Sequence, residues 1–358
     1  MSAKKHKKIR KYKGYFDIAH MVDTAIDKHI AFVIAVSADK ERGAGKTYSA
    51  CKMLFKRWLE NGESFILIVR EVKELGKFAE GLMSVMLANE FPGYSVFEKK
   101  NDNIFSTVYA QKGVGKEKET NVCGWVLPLK NARNLKNYRG LWEQANVKYF
   151  LFDEFMTLDN KYLSNETELF KTIYDTVNGK IEDLPVIMTA NTITLGNPWF
   201  HLLQLNNKLQ SNTRSLITDT CVYENVEVEG LAERHMGSAI NRAYGKTDDR
   251  YASNTWIGDN DSLVCKPDGW GRPVYQYAIV YKERTYGVYY YPDADLYYVS
   301  TSWDSSWDAK YALTLGDDLN IPLLRNNRTV GNLRDWFFNG CVKCANGTIQ
   351  RMLLDTFG

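Results

Sequence analysis

The string Arg42-Gly-Ala-Gly-Lys-Thr47 combines the residue types that hold phosphate groups. Its glycines allow backbone N–H groups to turn towards phosphate oxygens, and the N-terminus of a following helix favours negative charge. At this spacing Lys46 can reach terminal phosphates and Thr47 can bind Mg²⁺. The pattern G-x-x-x-x-G-K-[ST] asks for glycine at position 40, where the chain has Lys40. The string therefore predicts a phosphate-binding loop, or Walker A motif, with one departure.

The predicted nucleotide contacts belong to this loop and the start of the next helix, namely Gly43, Ala44, Gly45, Lys46, Thr47 and Tyr48. Arg42 is the natural candidate within the same subunit for neutralising charge on a transferred phosphoryl group. A similar string, Gly113-Val-Gly-Lys116, has no Ser or Thr after its lysine and lies in a polar stretch. This second string is not predicted to bind phosphate.

Two acids follow the apolar run Tyr149-Phe-Leu-Phe152 in the arrangement called Walker B. We expect Asp153 to hold Mg²⁺ and Glu154 to polarise the water that attacks the γ-phosphate, because that water needs a base beside it. Acids after a strand are also ordinary surface residues. Since both motifs follow apolar runs in the expected order, they together predict a site that hydrolyses ATP with Mg²⁺.

A further apolar run ends in Asn191, which we assign as the polar sensor of the γ-phosphate, with Thr189 as second choice. Asparagine at such a place is also typical of a turn or a helix cap. A neighbouring subunit could supply another cation to the γ-phosphate. The candidates for this trans finger, each of which is also explained as a surface charge, are Lys180, Arg133, Arg139 and Arg214.

The elements that carry these motifs alternate between apolar runs and helical patterns. Continuous runs typical of strands buried on both faces occur at residues 30–36, 65–69, 147–152 and 186–189, and helical periodicity occurs at 47–60 and 166–177. This alternation predicts an α/β fold, here a P-loop (ASCE-type) NTPase domain with a mainly parallel sheet.

Beyond residue 200 the sequence becomes aromatic and β-branched, with predicted strands at 255–256, 274–281, 286–291 and 296–301. Residues 287–291 and 296–300 are predicted to form a hairpin, and residues 330–356 a terminal helix or two. This half is predicted to be a smaller, strand-rich α+β domain. The expected division is 1–200 for the ATPase domain, 201–250 for a linker and 251–358 for a domain that binds nucleic acid or a portal.

Length and composition limit the classes of protein. A chain of 358 residues with 44% hydrophobic residues predicts two globular domains rather than disorder. No apolar run reaches the 18 residues of a membrane span, and no secretory signal follows the N-terminus, so we expect a cytoplasmic protein. The six cysteines do not predict disulfides. Cys341-Val-Lys-Cys344 has metal-like spacing, but no second pair accompanies it, so zinc is not predicted.

A basic arm occupies the N-terminus, where residues 1–13 hold seven Lys or Arg and no acid. The remaining chain has 39 basic and 43 acidic residues, a formal charge of −4. Such an arm can hold a polyanion through phosphate contacts, although it is equally explained as a solvated tail.

Four strings together resemble one family. They are the phosphate loop at 42–47, the run Phe65-Ile-Leu-Ile-Val-Arg70, the segment Phe152-Asp-Glu-Phe155, and Asn191 followed by Asn197-Pro-Trp-Phe200. In these strings the chain resembles the DNA-packaging ATPases of φ29-like phages, relatives of the large terminases. The resemblance covers most of the chain and extends more weakly past residue 200.

The resemblance implies a homomeric ring, expected to be a pentamer, that docks on the portal vertex of a procapsid in the host cytoplasm and is threaded by double-stranded DNA. It implies that the C-terminal domain is similar to an RNase H-type nuclease without its acids, and that a structural RNA helps to attach the ring. In that family the trans finger falls just before the sensor strand. Here that stretch is 178–185, in which Lys180 is the one cation.

We therefore predict an ATPase that translocates viral DNA into a procapsid. One alternative is a terminase with an active C-terminal nuclease, or a helicase-like ATPase with the same N-terminal chemistry. Acids for such a nuclease occur at Asp293, Asp295, Asp304, Asp308, Asp317 and Asp318, several of them in apparent turns. A different alternative is a nucleotide-regulated DNA-binding protein with little turnover.

Overall fold

The structure is a computed structural model that separates the chain into two compact units. The first unit comprises Met1–Thr192 with Ser211–Asn254, and the second comprises Ile193–Gln210 with Thr255–Gly358. The residues that the structure describes are 12–38, 43–113, 118–157, 162–179, 183–192, 197–205, 208–209, 213–231, 233, 263–314, 320–324 and 332–357. No helix within these ranges is long and apolar enough to span a bilayer.

A nine-stranded mixed sheet forms the centre of the first unit. Its strands are β1 (Phe32–Ser37), β2 (Ser64–Val69), β3 (Tyr94–Asn101), β4 (Phe105–Lys112), β5 (Glu119–Pro128), β6 (Val147–Asp153), β7 (Val186–Asn191), β8 (Ser215–Ile217) and β9 (Cys221–Asn225). Their order across the sheet is β3-β4-β5-β2-β6-β7-β1-β9-β8. The neighbouring strands of the central part pair in parallel, and these are β5, β2, β6, β7, β1 and β9. The antiparallel pairs lie towards the two edges, where β3 pairs with β4, β4 with β5, and β8 with β9.

The helices of the first unit cover this sheet, and one helix of the second unit follows β7. They are α1 (Ala19–Asp27), α2 (Lys46–Asn61), α3 (Phe78–Glu90), α4 (Ala132–Leu135), α5 (Arg139–Gln144) and α6 (Glu166–Val177), then α7 (Pro198–Leu202) in the second unit. Short 3-10 turns occupy Val72–Glu74, Leu129–Asn131 and Lys136–Tyr138.

The central strands are buried along their length because helices pack on the sheet. Every residue of β2 is buried, and β1 is buried from Val33 to Ser37. The α2 helix buries Ala50, Leu54 and Phe55 in the same apolar core. The predicted strands at 30–36, 65–69, 147–152 and 186–189 and the predicted helices at 47–60 and 166–177 are thereby confirmed within a few residues.

The linker predicted for residues 201–250 is wrong where the structure describes it. Strands β8 and β9 lie in this range, and β9 pairs in parallel with β1 from Phe32↔Cys221 to Val36↔Asn225. Residues 193–210, in contrast, group with the second unit. The short strand β9 was missed because its pairing with β1, about 190 residues away in sequence, is a tertiary contact.

The second unit contains a five-stranded sheet. Its strands are β10 (Val274–Tyr281), β11 (Arg284–Tyr291), β12 (Leu296–Ser300), β13 (Lys310–Ala312) and β14 (Val342–Cys344), in the order β13-β10-β11-β12-β14. Two further helices are α8 (Asn332–Phe338) and α9 (Gly347–Phe357). The predicted hairpin is confirmed by the pairing of Tyr291 with Leu296. The strand β14 between the two terminal helices was not predicted, and the predicted strand at 255–256 lies outside the described residues.

Candidate functional site

The parallel strands β1, β7 and β6 bring their carboxyl ends to one edge of the sheet. The register aligns Ser37 with Asn191 and Asp153 with Thr189. Polar residues follow the apolar interior of each strand, so four polar side chains lie side by side at this edge. Ligands of open α/β sheets bind at such carboxyl ends.

The loop between β1 and α2 meets the same edge. Gly43 and Gly45 have φ values of 84° and 91°, in the left-handed region that glycine adopts without strain. Gly45 is the residue before the first turn of α2, which begins at Lys46. The loop therefore delivers a helix N-terminus, whose free backbone N–H groups favour an anion, to the polar edge of the sheet.

Lys46 is a buried cation in this arrangement, with only 8% of its surface exposed. Its Nζ donates to Ser37 Oγ and, at 3.3 Å, to Asn191 Oδ1. The ammonium group thus lies between the ends of β1 and β7. A desolvated cation is well suited to hold a phosphate group, because its charge is not screened by bulk water.

Asp153 joins the end of β6 to both neighbours. Its Oδ1 accepts a hydrogen bond from Thr47 Oγ1 at 2.7 Å and another from Thr189 Oγ1. Hydroxyl and carboxylate oxygens are the ligand types that Mg²⁺ prefers, usually with waters and substrate phosphates completing the shell. The close approach of Thr47 and Asp153 beside a helix N-terminus therefore fits a magnesium–nucleotide complex.

Glu154 follows directly and has an unusual backbone. Its φ is 51°, which is uncommon for a residue with a side chain and is typical of functional sites where surrounding contacts enforce it. Its side chain is exposed, in contrast to the buried residues Phe152 and Phe155 on either side of the acid pair. The turn leaves the carboxylate accessible to a substrate at the edge of the sheet.

Arg70, at the end of β2, holds this turn. Its guanidinium donates to the carbonyl oxygens of Glu154 at 3.0 Å and Phe155 at 2.6 Å. It also forms a bidentate pair with Glu166 of α6, with both N–O distances at 2.9 Å, and stacks over the ring of Phe152 at 4.8 Å. Bidentate pairing of this kind fixes orientation as well as charge.

Two titratable groups on α2 have altered pKa values. Burial raises the pKa of the Cys51 thiol, and the charge of Asp153 raises it further, so this cysteine stays a neutral part of the core. Partial desolvation raises the pKa of Tyr48, as does its hydrogen bond to Glu90, where the two oxygens lie 2.9 Å apart. Tyr48 is thus held by a residue of α3 beside the phosphate loop.

The structure brings together most of the residues that the sequence predicted for the site. Lys46 donates to Asn191, and Asp153 accepts hydrogen bonds from Thr47 and Thr189. Glu154 is adjacent, whereas the predicted cation Arg42 lies outside the described residues.

The four candidates for a trans finger differ in their surroundings. Arg133 on α4 and Arg139 at the start of α5 are exposed. Arg214 is paired with Glu227 at an N–O distance of 2.5 Å. Lys180 lies outside the described residues. The pairing of Arg214 makes it less available to a neighbouring subunit than Arg133.

Sequence reasoning missed two residues of the site. Ser37 is the polar last residue of the apolar strand β1, and this change from apolar to polar was a usable signal. Arg70 had a similar signal, since it follows β2 directly, but its partner Glu166 lies 96 residues away. Only the fold shows that this arginine contacts the turn at Glu154 and Phe155.

Comparisons with known proteins agree on one group. The profile of the podovirus DNA encapsidation protein (Gp16) family matches residues 14–357. The DNA packaging protein of Bacillus phage B103 is 25% identical over 340 residues, which cover 92% of this chain and 97% of that protein. The fold is similar to that of a chain in the bacteriophage Phi-29 genome packaging motor assembly, with a TM-score of 0.67, 23% identity, and coverage of 96% and 98%. It is also similar to the Phi-28 gp11 DNA packaging motor, with a TM-score of 0.54, 17% identity, and coverage of 97% of each chain.

Proposed function

Because this chain belongs to the podovirus DNA encapsidation protein (Gp16) family, we propose that it packages DNA by hydrolysing ATP at the site formed by α2, β6 and β7. The observation that carries the proposal is the hydrogen bond between Thr47 and Asp153, at 2.7 Å, beside the buried ammonium group of Lys46. These three groups are the cation and the oxygen ligands that a P-loop NTPase needs, and they converge on one helix N-terminus.

Each described residue of the site has a role that follows from its position. Lys46 binds the terminal phosphates and, together with the predicted cation Arg42, neutralises their charge. Glu154 orients the attacking water, and the contacts of Arg70 with the backbone of the turn limit where this carboxylate can lie. Asn191, which accepts a hydrogen bond from Lys46, relays whether the γ-phosphate is present.

Magnesium is the ion that the oxygen ligands fit. Thr47 and Asp153 would hold it, and when bound it would neutralise negative charge on the phosphates. Thr189 keeps the carboxylate of Asp153 in place through a hydrogen bond to the same oxygen that Thr47 contacts. The backbone of Gly43, Ala44 and Gly45 and the start of α2, including Tyr48, would surround the nucleotide phosphates.

The motor that we propose is a homomeric ring, a pentamer by resemblance, acting in the infected host at the portal vertex of a procapsid. Double-stranded DNA is the partner that the ring translocates. Contacts to DNA are expected to be mainly to phosphates, because a motor must accept any sequence. A structural RNA is a further proposed partner. The trans finger is expected among Lys180, Arg133, Arg139 and Arg214, with Arg133 favoured over the paired Arg214.

For the second unit we propose a domain that binds nucleic acid or the portal and is similar to an RNase H-type nuclease without its metal site. Within the described residues, no group of three or more His, Cys, Asp or Glu is placed to hold a metal ion. Asp317 and Asp318 lie outside those residues. The acids at Asp293 and Asp295 occupy the turn of the β11–β12 hairpin, which explains them without a metal.

The test is ATP hydrolysis by the purified chain with and without double-stranded DNA, beside the variants Lys46→Ala and Glu154→Gln. We expect turnover that DNA stimulates and that both variants lose, with ATP binding retained in Glu154→Gln. Packaging of DNA into empty procapsids would then separate this motor from a helicase-like ATPase. If Glu154→Gln kept full DNA-dependent function, the chain would be a nucleotide switch and the motor proposal would fail.

A further inference from the structure

An exposed aromatic side chain stands beside the phosphate loop, and the roles assigned above do not use it. Tyr15 is 76% exposed, the highest value among the large hydrophobic side chains of the described residues. Its ring stacks on that of Tyr48, the residue after Thr47, with centroids 6.3 Å apart and planes inclined by 23°. Single exposed apolar side chains are common on protein surfaces, and this ring differs from them in lying against Tyr48 and Gly45.

Residues on both sides hold the segment that carries Tyr15. On one side, Tyr12 pairs with Val228 beyond β9, and its hydroxyl donates to Glu224 at 2.7 Å. On the other side, Phe16 is buried, and its backbone N–H donates to the carbonyl oxygen of Ala44 in the phosphate loop at 3.1 Å. The chain is therefore fixed before and after the exposed ring.

The backbone between these anchors turns the ring outwards. Gly14 has a φ of 97°, a conformation that residues with side chains rarely adopt, and it directly precedes Tyr15. A Cβ added to Gly45 would lie 3.3 Å from Tyr15 Cδ1, so the ring lies against the residue that precedes α2. The ring is thus a preformed surface at the phosphate loop rather than part of a loose terminus.

Phosphate chemistry sets where a nucleobase can lie. In a P-loop the lysine reaches the β- and γ-phosphates, whereas the α-phosphate, which bears the nucleoside, is held further along the loop. Here Lys46 points to the ends of β1 and β7, and Tyr48 follows it at the start of α2. A nucleoside triphosphate bound with its terminal phosphates at Lys46 would have its nucleoside on the side of Tyr48 and Tyr15.

We propose that Tyr15, supported by Tyr48, is the surface on which the base of the bound nucleoside triphosphate stacks. This inference rests on the proposed function, because it takes the phosphate loop as the site of ATP. Stacking on a tyrosine does not require a particular hydrogen-bonding pattern, since every base has a π-face. Tyr15 therefore contributes affinity for the base, and any choice among bases requires polar contacts elsewhere.

The second tyrosine gives the surface rigidity. Tyr48 Oη donates to Glu90, which in turn pairs with Lys52 at 2.6 Å, so the lower ring is oriented by residues of α2 and α3. Stacked aromatic rings supply contact area with few rotatable bonds, and less entropy is lost when a ligand is added to them. The pair is suited to bind a flat ring on its open side.

The test compares ATP with inorganic tripolyphosphate, which has the phosphates but no base, as ligands of the full chain. Direct binding of each is measured for the unmodified protein, Tyr15→Ala, Tyr15→Phe and Lys46→Ala. We expect Tyr15→Ala to weaken ATP binding on the order of 5- to 100-fold, from the usual value of one base–aromatic stack, and to leave tripolyphosphate binding unchanged. Tyr15→Phe should bind both ligands like the unmodified protein.

Other outcomes overturn the inference in distinguishable ways. Equal weakening of ATP and tripolyphosphate in Tyr15→Ala would mean that the ring only shapes the loop at Gly45, and unchanged binding of both would mean that the base lies elsewhere. Failure of the unmodified protein to bind either ligand would refute the proposed function itself. Lys46→Ala should weaken both ligands, which confirms that the two assays report on one phosphate site.

Discussion

At the scale of single residues, the site is organised by hydrogen bonds among its own side chains before any ligand is considered. Asp153 Oδ1 accepts from both Thr47 and Thr189, and Lys46 donates to Ser37 and Asn191. A carboxylate held in this way needs little reorganisation when a cation arrives. Residues that orient the carboxylate therefore affect the affinity for the cation, although they are not proposed to bind it themselves.

Thr189→Val should raise the Mg²⁺ concentration needed for half-maximal ATP hydrolysis by roughly 10-fold or more, because the residues that orient metal ligands typically contribute that much to affinity. The matched control is Thr176→Val in α6, whose hydroxyl donates to Thr172 within its own helix. The measurement is a Mg²⁺ titration of the initial rate. Equal Mg²⁺ requirements in the two variants would contradict the role assigned to Thr189.

Arg70 and Glu166 should behave as one energetic unit. The Glu166 side chain is fully buried, so Arg70→Met leaves a buried carboxylate without its arginine, and a loss of about 3–5 kcal/mol in the free energy of unfolding is typical of such a change. Glu166→Leu should also destabilise the protein, whereas the double variant should lose clearly less than the sum of the two. Urea unfolding of the four proteins measures this coupling, and additive losses would show that the pair is not coupled.

At the scale of elements, α2 connects the site to the core. Its first residues, Lys46 and Thr47, contact the ends of three strands, while Ala50, Leu54 and Phe55 are buried against the sheet. Gly62 ends the helix with a φ of 67°, and its N–H donates to the Trp58 carbonyl oxygen at 2.9 Å. A glycine in this conformation satisfies a terminal carbonyl without the steric cost that a side chain brings.

Gly62→Ala should therefore lower the free energy of unfolding by about 1–2 kcal/mol, the usual cost of a left-handed conformation for a residue with Cβ. Nucleotide affinity should not change, because the substitution lies at the far end of α2. The control is Gly81→Ala in α3, an exposed position with negative φ where an added Cβ would meet no atom within 4 Å. There alanine should stabilise by roughly 0.5–1 kcal/mol. The measurement is thermal unfolding, and unfolding temperatures that shift in the same direction in Gly62→Ala and Gly81→Ala would contradict this account.

At the scale of the whole molecule, the basic N-terminal arm is joined to the ATPase unit at a defined point. Tyr12 is half-buried, its N–H donates to Glu227 O at 3.3 Å, and its hydroxyl contacts Glu224. A truncation that tests the arm should therefore end before Tyr12. A truncation that also removed this tyrosine would disturb the anchor of the Tyr15 segment.

Deletion of residues 1–11 removes six of the seven basic residues of the arm. If the arm holds DNA, the deletion should make the slope of log K for duplex DNA against log salt concentration less steep. The expected change in this slope is about 0.9 for each phosphate that the arm no longer neutralises. Binding measured at several salt concentrations gives this slope, and the control is ATP hydrolysis without DNA, which the deletion should not change. An unchanged slope would identify the arm as a solvated tail.

Much of the first unit was predictable because the relevant signals are local. The strands β1, β2, β6 and β7 are continuous apolar runs, and such runs are typical of a parallel sheet covered on both faces. The strands β3, β4, β5 and β8 were not predicted. The two edge strands β3 and β8 are only partly buried, so their apolar pattern is weaker. Strand β9 was taken for a linker because its pairing with β1 is a tertiary contact between segments far apart in the chain.

The amino-acid sequence by itself predicted the chemistry that we propose for this protein. Lys46, Thr47, Asp153 and Glu154 come after apolar runs, in the order expected of a phosphate loop and a Walker B strand. Tertiary structure decided which residues surround them. Ser37 and Arg70 joined the site, and Tyr15 came to lie on Tyr48, because β-sheet register and helix packing place residues side by side that are far apart in the chain. Sequence motifs record the groups that react, whereas their supporting contacts depend on distances that only the fold defines.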